Sequence, residues 1–147
     1  MVEIERYIPE HLDQIREMGL RVEIDRKTIE DPEMWKMIAE RSEAYSVFVN
    51  GGLLFSGGVY MLREGFGEAW LLCSGLVYIY PLTVYRVASR LLNKIIEECN
   101  LYRVQATPRT NWSTGYRFVE KLGFQREGVL RKYGLHQEDC YMYGRVL

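Results

Sequence analysis

Seven apolar residues in the second half of the chain, Val84, Val87, Ala88, Leu91, Leu92, Ile95 and Ile96, recur at i, i+3, i+4, i+7, i+8, i+11 and i+12. Only an α-helix brings that spacing onto one side, and a stripe this broad has to lie on another apolar layer. The spacing therefore predicts a helix over residues 84–98 packed on a core. Arg86, Arg90 and Lys94 stand at four-residue steps on its other side. Such a row is either a solvated face or a set of contacts to an anionic ligand.

The remaining segments supply the partner layers. Residues 2–7 read as a short strand; Ile8-Pro9 then places proline where a helix can begin, with Leu12, Ile15 and Met18 on its apolar face. Asp31 can cap a second helix that has Pro32 at its first position, Met34, Trp35 and Ile38 inward, and its end near Ser42. Tyr45, Val47 and Val49 alternate with Ser46, Phe48 and Asn50, Gly51-Gly52 supplies a turn, and residues 53–62 resume an extended pattern, which makes a β-hairpin. After a turn-like stretch from Arg63 to Gly67, residues 69–73 are apolar enough for a buried central strand. Residues 102–107 form another strand, and Thr110 or Asn111 can cap a helix with Tyr116, Val119 and Leu122 inward and Gly123 as its stop. Residues 125–133 and 139–146 are extended and should pair antiparallel. The expectation is one domain over residues 1–147 of the α/β (α+β) class, a mixed, mostly antiparallel sheet of six to seven strands with about four helices on its two faces.

Composition narrows the function. The net charge of −1 argues against general nucleic-acid binding through phosphate neutralisation. The charge is unevenly placed, however: residues 1–73 carry eight basic and fourteen acidic side chains, and residues 74–147 carry eleven and six. The basic second half suits a polyanionic small ligand, or the first half is simply an acidic helical region. Cys73, Cys99 and Cys140 are odd in number and lack CxxC spacing, and neither His11 nor His136 has a partner at ligand spacing. No metal site is expected, and reduced thiols point to a cytoplasmic protein. No apolar run is long enough to span a membrane, and the acidic start lacks the features of a signal peptide, so the chain is expected to be soluble and unprocessed.

The segment 111–124, Asn-Trp-Ser-Thr-Gly-Tyr-Arg-Phe-Val-Glu-Lys-Leu-Gly-Phe, is followed by Glu127-Gly128, Leu130-Arg131, Asp139 and Tyr143. It resembles the carboxy-terminal signature of the GNAT acetyltransferases, especially the ribosomal-protein-acetylating branch. Its physical basis is a helix that ends at a left-handed glycine, with Phe124 turned back into the core. A softer likeness runs from Ala69 to Arg86 and on into Arg90-Leu-Leu, which is similar to the small GNAT-like proteins of tailed bacteriophages, some of them internal virion proteins.

The GNAT resemblance implies acetyl transfer from acetyl-CoA to a primary amine. In active members a loop of the form [RQ]-x-x-G-x-[GA] cradles the pyrophosphate with backbone N–H groups at a helix start. The corresponding residues are Thr83-Val84-Tyr85-Arg86-Val87-Ala88. Ala88 fits the last position, while Thr83 replaces the basic starter and Arg86 stands where a glycine belongs. Side-chain binding by Arg86, Ser89 and Arg90, with Thr83, Ala88 and Asn111 beside the cofactor, is the expectation that keeps the enzyme reading. Glu68 is the candidate base, or alternatively a turn carboxylate. The family's tyrosine acid falls on Val119, leaving Tyr116 and Tyr143 as candidates or as core aromatics. The phage resemblance implies the rival: a catalytically degenerate protein, structural in the virion or bound to a host protein. An exposed edge of the last strands could support a homodimer.

Overall fold

The computed structural model describes residues 1–17 and 32–147. Its elements follow the order β1 (Val2–Arg6), α1 (His11–Glu17), α2 (Pro32–Arg41), β2 (Ser42–Val49), β3 (Gly52–Arg63), β4 (Phe66–Cys73), α3 (Pro81–Glu98), β5 (Arg103–Ala106), α4 (Ser113–Lys121), β6 (Gln125–Leu130) and β7 (Cys140–Val146), with a 3₁₀ turn at Gly75–Tyr78. Among the described residues, seven strands make one sheet in the order β1-β2-β3-β4-β5-β7-β6, in which only β4 and β5 run parallel. The mixed, mostly antiparallel sheet of the sequence reading is present. Asp31 and Met18, assigned above to a cap and a helix face, lie outside the described residues.

Helices pack on both faces of the sheet because the buried strands are apolar on both. Tyr45, Val47 and Val49 of β2 face a core that takes in Val84, Val87, Leu91, Leu92 and Ile95 of α3, with Tyr116 and Val119 of α4 packed against it. The other face carries Phe48, Leu53 and Leu72 against Leu12 and Ile15 of α1 and Trp35 of α2. Two serines, Ser46 and Ser56, are wholly buried there. Their hydroxyls bond each other at 2.7 Å, and Ser46 Oγ bonds His11 Nδ1 at 2.7 Å, so the buried polar atoms satisfy one another.

Some boundaries differ from the sequence reading, each for a local reason. The β2–β3 turn is Asn50-Gly51 rather than Gly51-Gly52: both residues have positive φ, 51° and 82°, the pairing that matches strand twist in a tight hairpin. Strand β4 begins at Phe66, so Glu68 is inside it and not at its entrance. Neither Thr110 nor Asn111 caps α4; the N-cap is Trp112, with no side-chain hydrogen bond. The stop at Gly123 is as expected, with φ 96° and a buried Phe124 directly after it.

Candidate functional site

The two parallel strands part almost as soon as they meet. Phe66, Gly67 and Glu68 pair with Arg103, Val104 and Gln105. Beyond that point β4 follows β3 as far as Cys73, whereas β5 follows β7 through Ala106 and ends. Pro108, two residues on, has no N–H with which to continue a ladder. The edge of β4 past Glu68 therefore has no strand partner on the β5 side.

A cleft of about 1050 Å³ occupies the divergence. Ala69, Leu71 and Cys73 line it from β4, and Ala106, Thr107 and Pro108 from the end of β5. Its roof is the apolar stripe of α3, including Val84, Ala88 and Leu92, with α4 opposite. Among the described residues, the cations on the wall are Arg117 and Lys121, one turn apart on α4. Their side chains have no ion pair among the described residues. The Tyr85 hydroxyl donates to the Lys121 carbonyl at 3.3 Å and ties the start of α3 to the end of α4.

The start of α3 offers little backbone for an anion. Residues 83–88 are helical, so the amides of residues 85–88 are committed to carbonyls one turn back. None of residues 74–88 has a positive φ, so the alternating geometry of a backbone nest is not formed. The N-cap is Tyr80 without a side-chain bond, Pro81 has no N–H, and the Tyr80 carbonyl takes the Val84 amide at 3.1 Å. Leu82 and Thr83 keep amides without an intrahelical acceptor.

At the point of divergence, Gln105 Nε2 donates to Glu68 Oε1 at 3.0 Å. Strand alternation places Glu68 on the same face as Trp70 and Leu72, the α1–α2 side, while Ala69 and Leu71 face α3. The Tyr133 phenol is held above its ordinary pKa, first by burial and then by the nearby Glu68 charge. Burial likewise pushes the Cys140 thiol up, with Glu138 and then smaller charges, Glu68 among them, adding to the effect.

No protein-family model matches the chain, and no curated protein does. Solved structures do. An acetyltransferase of the GNAT family from Streptococcus pneumoniae aligns over 100% of this chain and 99% of its own, with a TM-score of 0.72 and 16% identity. A spermidine N-acetyltransferase SpeG chimera from Vibrio cholerae and hSSAT reaches a TM-score of 0.79 at 10% identity, covering 99% and 95%. The ribosomal-protein-S18-alanine N-acetyltransferase from Escherichia coli gives 0.70 at 15%, covering 99% and 94%. The chain has the GNAT fold. At such identities the shared property is the fold.

Within the GNAT fold, most of the residues singled out from sequence stand outside the cleft. Of Thr83, Arg86, Ala88, Ser89, Arg90 and Asn111, only Ala88 lines it. Arg86 and Arg90 are exposed on another side of α3, and Asn111 is exposed in the turn before α4. Tyr116 and Tyr143 are elsewhere too: with Tyr141 they surround the Arg126 guanidinium, at 5.2, 5.6 and 3.7 Å from the ring centroids. The Tyr143 hydroxyl donates to Glu120 Oε2 at 2.8 Å and accepts from Arg126 Nε at 3.1 Å. Glu68 lies next to Ala69, at the apex.

Arg117 and Lys121 were missed. Their i, i+4 spacing was visible, but both fell inside the segment read as a helix-ending signature. No periodicity says which flank of a helix meets a cleft.

Proposed function

We propose that this chain is an N-acetyltransferase that moves an acetyl group from acetyl-CoA to a primary amine. The observation that carries the reading is the three-residue β4–β5 pairing followed by an apolar cleft with cations at its wall. A pantetheine arm is narrow, mostly apolar and carries two amides, and the unpaired β4 edge can bond those amides. Arg117 and Lys121, with the amide of Leu82, are the groups that would hold the phosphates. When bound, acetyl-CoA supplies an activated acetyl carbon.

Glu68 sits where the two strands part and on the opposite face from α3. The acceptor amine therefore approaches from the α1–α2 side, and Glu68 takes its proton directly or through a water. Gln105 keeps that carboxylate turned toward the apex. The free N–H groups of the β4 edge stabilise charge on the carbonyl oxygen. In the balanced reaction the N–C bond forms, the C–S bond breaks, and the amine proton ends on the departing thiol. Use of acetyl-CoA places the protein in the cytoplasm, that of the host if the gene is a phage's.

One observation favours the second reading, a catalytically degenerate GNAT-fold protein with a virion or host-binding role: the backbone nest for a pyrophosphate is not formed. Calorimetry separates the two. Wild type should bind acetyl-CoA at micromolar Kd, Ala106→Trp should block the cleft and remove binding, and Glu68→Gln should bind normally but transfer at least 100-fold more slowly. Absence of heat with wild type favours the scaffold.

A further inference from the structure

We infer that the mouth of the cleft is a docking surface for an acidic carrier protein that presents the acyl group on a phosphopantetheine arm. The inference rests on the acyl-transfer reading above. Two large apolar side chains, Ile79 and Leu82, each 67% exposed, stand in solvent at the mouth, and Tyr78 beside them is 58% exposed. Tyr78 and Leu82 also line the cleft. The phosphates of acetyl-CoA gain nothing from such a rim, whereas a clustered exposed apolar patch marks a protein interface.

The patch continues into a row of positive charge. Arg86 and Arg90 follow Leu82 at four-residue steps, so the three lie along one face of α3. Arg117 and Lys121 stand across the cleft. Between Glu68 and Glu120 the sequence holds two carboxylates, Glu97 and Glu98. They lie at the other end of α3, about 24 Å from Pro81 at the helical rise. None of these four cations has an ion pair among the described residues. An apolar centre with an unneutralised basic rim complements a partner that is acidic around an apolar contact. A carrier-borne arm also has a single phosphodiester, which Arg117 and Lys121 can hold without the nest that a pyrophosphate uses.

The test compares two probes on the whole protein by calorimetry at low and moderate salt: acetyl-CoA, and a bacterial acyl carrier protein of net negative charge loaded with acetyl-phosphopantetheine. The loaded carrier should bind at least tenfold tighter than acetyl-CoA and weaken with salt. Arg86→Glu with Arg90→Glu should weaken the carrier at least tenfold and leave acetyl-CoA within about twofold. Ile79→Ser should weaken only the carrier. Acetyl-CoA binding as tightly as the carrier would overturn the docking surface and leave the acyl-transfer reading standing. Binding of neither probe would overturn both. Tight binding of a single-stranded RNA oligonucleotide to the basic row, without carrier binding, would also overturn it.

Discussion

The Tyr143→Phe substitution separates a structural tyrosine from a catalytic one. The Tyr143 side chain is fully buried, and its ring meets Tyr141 edge to face at 6.1 Å. Phenylalanine keeps that packing and removes only the hydroxyl. The loss that matters is the 2.8 Å bond to the Glu120 carboxylate; the Arg126 guanidinium is open to water and replaces its bond from solvent. A hydrogen bond to a charged group contributes about 1.5–3 kcal/mol. Because Glu120 is exposed and partly rehydrates, the expected loss is about 1–2 kcal/mol. For a domain of this size that is a fall of roughly 2–8 °C in Tm, read by circular dichroism. A general acid supplies about 10²–10⁴ in rate, yet Tyr143 does not line the cleft, so kcat should stay within about twofold. An unchanged Tm together with a hundredfold loss of kcat would refute the structural assignment.

Other substitutions test the frame around the site. Gly144→Ala puts a methyl group where Glu127 and Arg103 cross β7 to make their bidentate pair at 2.6 and 2.9 Å. Crowding there should cost about 1–3 kcal/mol, and an unmoved denaturant midpoint would contradict it. Gly51→Ala has open space around the new methyl, so its cost should come from the positive φ alone, about 1–2 kcal/mol; no measurable loss would show that the turn relaxes. Burial holds the His11 imidazole below its ordinary pKa, with Glu5 and Glu10 pulling the other way. The unfolded chain then binds the proton first, near pH 6.5. Stability should be flat above that pH and fall as pH drops toward the lower folded value; a urea midpoint unchanged between pH 7.5 and 5.5 would count against a neutral buried His11.

Local physics made much of the fold readable. Positions 84, 87, 88, 91, 92, 95 and 96 have no other regular conformation that puts them together, and Gly123 followed by Phe124 marks a helix end by backbone geometry. The α4 start was misread because a polar side chain at Thr110 or Asn111 is one way to begin a helix. Here Gly115 leaves the space into which the Trp112 ring packs, and that contact stands where a cap would.

The site was harder to read because it belongs to no single segment. The parting of β4 from β5 is decided by their outer neighbours: Phe55 holds Cys73 in β3 register, while Tyr143 holds Ala106 to β7. Neither pairing leaves a mark near residues 66–73 or 103–106. One inference was nevertheless available. If a ligand lies under the helix at residues 84–98, it meets the apolar stripe that holds the helix down, and Arg86, two positions from Val84, points about 200° away from it. Cations for that ligand then have to come from the opposing helix, where Arg117 and Lys121 stand one turn apart. Arg86 and Arg90 are left exposed on another side of α3, away from that ligand.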